Sequence, residues 1–336
     1  MGVPNLIKKT ALILGISGQD GCYLADLLLK KGYQVHGTSR DVDSRSFSNL
    51  QKLGIADSVK LHSASLVDFR NLLQVITQVE PTEIYNLAGQ TSVGLSFSQP
   101  METMESIALG SLQVLEVMRY PKAPIRFYNA GSSECFGDVS AGVPSHEGTP
   151  FHPRSPYAAA KAAAFWATAN YREAYGLHAC SGILFNHESP LRPARFVTRK
   201  IVAGVCRIAA GSDEKLRLGN MLIRRDWGWA PEYADAMWRM LQQQTPQDIV
   251  IATGESHSLE EFVALAFETV GLDWRDHVEV DESLYRPSDL MFSEGNPSRA
   301  MELLGWKAEV HFAELIRRLV NAENSTVKGE MLNVAS

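Results

Sequence analysis

Between residues 10 and 130 of this 336-residue chain, short β-rich runs alternate with helical stretches, and that alternation limits the possible folds more than any other feature. The runs are TALILG, YQVHGTS, VKLHS, TEIYNLA and IRFYNAG; between them stand YLADLLLKKG, FRNLLQVITQV and a helix near 103 to 119. Strand and helix in turn predict a parallel sheet with crossover helices, because parallel neighbours need a long connection. In the first helix Tyr23, Leu24, Leu27 and Leu28 form an apolar face, Lys30 and Lys31 close the last turn, and Gly32 is suited to end it.

From about 155 to 176 an Ala-rich helix opens with Ser155 as N-cap and Pro156 at the first helical position, and the strand HACSGILF follows. Beyond residue 187 the pattern loosens into loops, short strands and helices. The expectation is an α/β chain: a Rossmann-type doubly wound parallel sheet over 1–186 and a smaller mixed α/β C-terminal substrate lobe over 187–325, with elements free to cross between them. The polar tail at 326–336 is expected to fray.

Composition narrows the function classes. Hydrophobic residues are 45% and charged residues 21%, enough apolar surface for a core, so wholesale disorder is excluded. The net charge of −6 argues against nucleic acid or an acidic membrane as partner unless a local basic patch opposes the global field. Cys22, Cys135, Cys180 and Cys206 are too scattered for a disulfide framework or metal-ligand run, so no metal is expected and a reducing cytoplasm is. No stretch approaches the roughly 18 apolar residues of a membrane span, and the start lacks a basic-then-apolar leader.

Gly15, Gly18 and Gly21 follow the first strand directly and open a helix. Glycine permits a tight turn and close backbone approach, while free N–H groups and the helix dipole favour a pyrophosphate. At the end of the second strand, where an acid would bind a ribose 2′-hydroxyl, stand Ser39 and then Arg40. A guanidinium there favours a 2′-phosphate and hence NADP, with NAD as the alternative; Asp41 next door opposes that preference unless it points away.

At the start of the Ala-rich helix, Tyr157 and Lys161 are four apart and so share a face. A free phenol is about 0.1% ionised at pH 7, and a neighbouring ammonium increases that fraction. Tyr157 is then a candidate base for a hydroxyl proton. Upstream, NAGSSECFG follows a strand and puts Ser132, Ser133 and Glu134 near the carboxyl edge of the sheet, where open α/β folds bind ligands. A carboxylate is superfluous for simple alcohol oxidation but suited to removing a carbon-bound proton beside a ketone. Taken singly, each of these has a plain structural alternative, a surface pair for Tyr157 and Lys161 and an exposed turn acid for Glu134.

Together with RFYNAGSSECFG, PFHPRSPYAAAKAAAFW, NYREAYGLHACSGILFNHESP, FVTRK, RRDWGWAPEYADAMW and VIATGESHSLEEF, these residues resemble the GDP-mannose 4,6-dehydratase family of extended short-chain dehydrogenase/reductases, over about residues 9 to 320. The resemblance implies a lyase that uses recycled NADP and a GDP-sugar substrate. Tyr157 would be the base at the sugar 4-hydroxyl, Lys161 its support, Ser132 (usually Thr in the family) a hydrogen-bond donor to the C4 oxygen, and Glu134 the group acting at C5 and C6. Gly15, Gly18, Gln19, Asp20, Gly21, Arg40, Leu87, Gln90, Tyr157, Lys161, His187 and Arg192 would contact the cofactor. Asn186, Arg225 and Arg286 would bind the substrate pyrophosphate, Val197 and Lys200 the guanine, and Asp289 the ribose. A homodimer or homotetramer is implied as well.

The sequence departs from the family pattern in places. Arg40-Asp41 replaces paired arginines, Ala64-Ser65 replaces Gly-Asp, Ile107 stands where an acid is expected, Arg192-Pro193 replaces Arg-Gly, and Ser288-Asp289 replaces Ala-Glu. The alternatives are a related GDP-sugar dehydratase, an epimerase or reductase on the same scaffold, or a nucleotide-binding regulator without turnover.

Overall fold

The structure, a computed structural model, describes residues 9–44, 46–121 and 123–334, with backbone alone for 326–334. Its strands are β1 (Thr10–Leu14), β2 (Gln34–Ser39), β3 (Lys60–Ser63), β4 (Glu83–Asn86), β5 (Arg126–Ala130), β6 (His178–Leu184), β7 (Asn186–Glu188), β8 (Leu216–Leu218), β9 (Arg224–Trp229), β10 (Ile249–Ile251), β11 (Ser256–Ser258) and β12 (Val278–Val280).

A seven-stranded sheet has the order β10-β6-β5-β4-β1-β2-β3. Ala11 pairs in parallel register with Val35 on one side and Glu83 on the other; Tyr85 pairs with Tyr128, and Tyr128 with Cys180. The chain winds outward from β1 in one direction and, after β3, returns to continue from β4 in the other. This is the doubly wound arrangement expected from the strand-helix alternation. Its topological switch point lies between β1 and β4, beyond whose carboxyl ends open α/β sheets hold ligands. Ala11, Leu12, Ile13 and Leu14 are all buried, as a strand covered on both faces requires.

The crossover helices follow from their sequences. In Phe69–Val79, Leu72, Val75, Ile76 and Val79 are the buried residues, and Asp68 accepts from the Asn71 N–H at 3.0 Å as N-cap. That face packs with Leu12, Leu14, Ile84 and Phe127 in one core cluster. The Ala-rich helix is Pro156–Tyr175; Ser155 Oγ accepts from Ala158 N–H at 3.1 Å, and Gly176, at φ +65°, ends it in the left-handed region.

The chain divides into two compact units. The first comprises Met1–Cys135, Ser155–Leu184 and Tyr233–Ile249; the second comprises Phe136–Arg154, Phe185–Glu232 and Val250–Ser336. Within the second, β11, β9 and β7 form a three-stranded sheet and β12 pairs in parallel with β8. Its core gathers Ile201, Val205, Trp227, Phe262, Phe267, Leu315 and Ile316. The last helix runs Phe312–Val334, so the backbone stays helical through most of the tail; residues 335 and 336 lie outside the described ones. Among the described residues, no helix is long and apolar enough to cross a membrane.

Candidate functional site

In the first unit the sheet gathers the candidate residues by topology. Gly15 follows β1, Arg40 follows β2, Leu87 and Gln90 follow β4, and Ser132 and Glu134 follow β5, so parallel strands deliver all of them to one carboxyl edge.

The glycines differ in what they do. A Cβ on Gly15, which has φ +85°, would lie 2.8 Å from Ala88 Cα, in the segment after β4. A Cβ on Gly21 would lie 2.7 Å from the Gly15 carbonyl oxygen. Both approaches are backbone to backbone, so a side chain cannot be accommodated by a change of rotamer. Gly18 meets only the Gly15 carbonyl, at 3.4 Å, and starts the helix Gln19–Lys30 with no side-chain cap on its N–H groups. A close-approach loop and a helix N-terminus without a side-chain cap fit a dinucleotide pyrophosphate. Gln19 Nε2 donates to Asp20 Oδ1 at 2.9 Å. Arg40 is exposed, and the neighbouring Asp41 carboxylate is engaged in its own loop: it accepts from Asp43 N–H at 3.0 Å, Ser44 N–H at 3.2 Å and the Ser44 hydroxyl at 2.6 Å. These bonds hold its carboxyl below the ordinary Asp range.

Beyond β5 the chain turns through a short 3₁₀ segment, Ser133–Phe136. Ser132 is buried, and its Oγ accepts from Glu134 N–H at 3.3 Å. Opposite stands the first turn of Pro156–Tyr175. Lys161 is buried and donates from Nζ to Ala130 O, the last residue of β5, at 2.8 Å. Its Nζ is 5.8 Å from the Tyr157 ring centroid. Burial brings the Lys161 ammonium down to about 8, against opposing attraction from Cys135 and Asp20. The Tyr157 ring is buried in a small apolar cluster with Ile107, Ala160 and Ala164.

The second unit carries the remaining candidates. Asn186 and His187 are in β7, paired with Trp227 and Gly228 of β9, and His187 Nδ1 is 2.7 Å from Phe185 O. Arg225, in β9, is buried and donates from Nη1 to Leu290 O at 2.8 Å and Arg224 O at 2.9 Å. Asp289 Oδ1 is 3.5 Å from Arg225 Nη2 and 3.7 Å from Arg286 Nη1, so these three expected substrate contacts form one cluster. Val197 begins the helix Val197–Ala209, and Lys200, one turn on and exposed, donates to Arg217 O at 2.6 Å. The Arg192 guanidinium stacks 3.9 Å from the Phe196 ring centroid, with Nε 3.2 Å from Glu188 Oε2.

Three supporting groups went unassigned in the sequence reading. Glu188, buried, also accepts from the Thr198 hydroxyl at 2.7 Å and so joins β7 to the start of a helix. Asp226, beside Arg225, accepts from Thr253 N–H and Gly254 N–H, both at 2.9 Å, and from the Thr253 hydroxyl at 2.7 Å. Burial raises its carboxyl to about 6 despite those donors. The third is a break in the helix near 103 to 119, where Glu105–Leu109 is a π turn. Glu188 and Asp226 sit inside the quoted NHESP and RRDWGW segments, among other polar residues, so nothing local marked them as buried acids. Among the described residues no group of three or more His, Cys, Asp or Glu is arranged to hold a metal ion.

A family model described as GDP-mannose 4,6 dehydratase matches residues 12–319. GDP-mannose 4,6 dehydratase 1 of Arabidopsis thaliana is 47% identical over 333 residues, covering 96% of this chain and 92% of that protein. The GDP-mannose 4,6 dehydratase of Homo sapiens is 43% identical over 348 residues, again covering 96% and 92%. Among solved structures, the UDP-glucose 4-epimerase of Thermus thermophilus in complex with NAD superposes with TM-score 0.82 at 26% identity, covering 94% of this chain and 98% of that one.

Proposed function

This chain belongs to the GDP-mannose 4,6-dehydratase family, and on that premise we propose that it converts GDP-D-mannose to GDP-4-dehydro-6-deoxy-D-mannose and water, with NADP as resident cofactor. The observation that carries this reading is the bond from Lys161 Nζ to Ala130 O. It ties the helix bearing Tyr157 to the end of the strand that leads into Ser132 and Glu134, so a phenol, a hydroxyl and a carboxylate share one sheet edge. A dinucleotide held there would supply a reversible hydride acceptor, so no net oxidation would result.

The protein groups then have distinct work. Tyr157 Oη takes the proton of the sugar 4-hydroxyl, and the Lys161 ammonium favours the phenolate that accepts it. Ser132 Oγ donates to the C4 oxygen as it becomes a carbonyl. That carbonyl acidifies the C5 proton, which the Glu134 carboxylate removes; the C6–O bond breaks, the proton leaves with the C6 hydroxyl as water, and C5 then regains a proton, balanced by the one Tyr157 took from the 4-hydroxyl, as a hydride is returned to C6. Asn186, Arg225 and Arg286 bind the substrate diphosphate; Asp289 accepts from a ribose hydroxyl, and Val197 and Lys200 face the guanine. Gly15, Gly18, Gln19, Asp20, Gly21, Leu87, Gln90, His187 and Arg192 hold the cofactor, and Arg40 its 2′-phosphate. Asp41's local bonds favour that last role, because they keep its carboxylate on Asp43 and Ser44 of its own loop.

The same reading includes a cytoplasmic homo-oligomer. All four cysteines are buried and free, as suits a reducing compartment. Met101, Leu109, Leu112 and Trp166 are exposed on the helices of the first unit, an apolar face suited to a second copy of the chain. The test of the whole reading is incubation of the purified protein with GDP-mannose under mass spectrometry. Loss of one water supports it; an unchanged mass, with cofactor present, overturns it.

A further inference from the structure

The helical segment before β5 changes hydrogen-bond register midway. Pro100–Met104 is α-helical, Glu105–Leu109 is a π turn, and Gly110–Val117 is α-helical again. Nothing in the residue types demands this: ESIAL contains neither proline nor glycine. A π turn accommodates one additional residue and has poorer hydrogen-bond geometry than the α-helix, so it persists where the side chains it redirects repay the loss through their contacts.

Those contacts are specific. Ser106 Oγ accepts from the Gln90 N–H at 3.1 Å, and Gln90 Nε2 reaches Thr103 Oγ1 at 3.2 Å. One residue on, Ile107 is 2% exposed. Its Cγ1 lies 2.8 Å from where a Cβ on Gly89 would stand, so the loop after β4 is seated against it. On the other side Ile107 shares the apolar cluster of Tyr157, Ala160 and Ala164. Two consecutive side chains of the π turn therefore meet the loop that contains Gln90, and the second joins the apolar cluster that holds the Tyr157 ring. Thr103, Ser106 and Ile107 stand three and four residues apart, so a single face of this helical segment carries all of these contacts.

We propose that the π turn is a positioning element for the dehydratase reaction, with Ile107 as the residue that fixes the Tyr157 ring against the loop Ala88–Gln90. This rests on the function proposed above. Ile107 touches no reacting atom; it acts by denying the phenol alternative ring positions, which keeps Oη at the distance that proton transfer needs. The family pattern leads one to expect an acid at 107, so this contact is particular to this chain.

The experiment compares wild type, Ile107→Ala and Ile107→Val, each purified with cofactor and assayed on GDP-mannose, with kcat, KM, the pH profile of kcat and thermal melting measured together. Misplacing a reacting group by about 1 Å can cost on the order of 100-fold in rate, so Ile107→Ala is expected to lower kcat by about 10-fold to 100-fold with KM changed less than about twofold. The ionisation limb assigned to Tyr157 shifts in the pH profile of kcat, and Ile107→Val restores most of the rate. An Ile107→Ala enzyme that melts lower yet keeps the wild-type kcat and pH profile assigns Ile107 to the core alone and overturns the proposal. A wild-type protein that leaves GDP-mannose unchanged overturns the functional reading instead, and this inference with it.

Discussion

The Asp289 carboxylate lies 3.5 Å from the Arg225 guanidinium, and Arg286 approaches the same oxygen at 3.7 Å. Arg225 is fixed through Nη1 by the Leu290 and Arg224 carbonyls, which leaves its Nη2 side toward Asp289. A guanidinium held in this way is a fixed positive charge, which suits a diphosphate. Arg225→Lys keeps the charge and removes the two carbonyl anchors that fix its position, so KM for GDP-mannose and Kd for GDP are predicted to rise about tenfold with kcat within about twofold. Steady-state kinetics and calorimetry with GDP check this; unchanged GDP affinity would remove Arg225 from the substrate site.

Glu134 separates the elimination from the oxidation that precedes it. Its backbone N–H bonds to Ser132 Oγ, which fixes the turn independently of the carboxylate. Glu134→Gln is therefore expected to leave the turn in place. Loss of a general base costs roughly 100-fold to 10,000-fold, and water loss should fall by that much while C4 oxidation persists in part. Mass spectrometry reads the first and nicotinamide absorbance in a single turnover reads the second. Equal loss of both signals would contradict a role confined to C5 and C6.

Lys161 sets a limit on the alkaline side. Burial brings its ammonium from 10.5 to about 8, so the charged form prevails below about 8 and is lost above it. Only the ammonium favours the Tyr157 phenolate, and only in that form does Nζ add positive charge at the sheet edge. The predicted outcome is a kcat/KM that falls with rising pH from about 8, by up to tenfold per unit, since this parameter reports the free enzyme. Initial rates across that range check it; a profile level to about pH 10 would show that Lys161 stays charged throughout.

The parts legible in the sequence were those encoded within a few residues of one another. Gly15, Gly18 and Gly21 after an apolar strand, Ser155-Pro156 before a helix, and Tyr157 four residues from Lys161 each carry their geometry in their spacing. The parallel sense of the sheet followed from strand-helix alternation, because parallel neighbours need a long crossover. What escaped is set by contacts between distant residues. Asp289 meets Arg225 only once the loop carrying it lies beside β9. The π turn at Glu105–Leu109 is silent for a related reason: its side chains meet Gly89 and Gln90 and share a cluster with Tyr157, none of which belongs to that helix.

Arg40 is where cofactor preference is open to direct test. It follows β2 at the sheet edge and is exposed, while Asp41 is bound by Ser44 and Asp43 in its own loop. The guanidinium is thus the group available to a 2′-phosphate, and the adjacent carboxylate is occupied. A hydrogen bond to a charged group contributes about 1.5–3 kcal/mol, so Arg40→Ala is predicted to weaken NADP binding by about 10-fold to 100-fold. NAD lacks the phosphate, so its affinity should change less than about twofold. Fluorescence titration of both dinucleotides against protein stripped of cofactor makes the comparison. Parallel weakening of the two would mean that Arg40 shapes the loop rather than reading the phosphate. If Asp41→Ala strengthened NADP as much as Arg40→Ala weakened it, the carboxylate would be facing the ligand after all, and its bonds to Ser44 would be no shield.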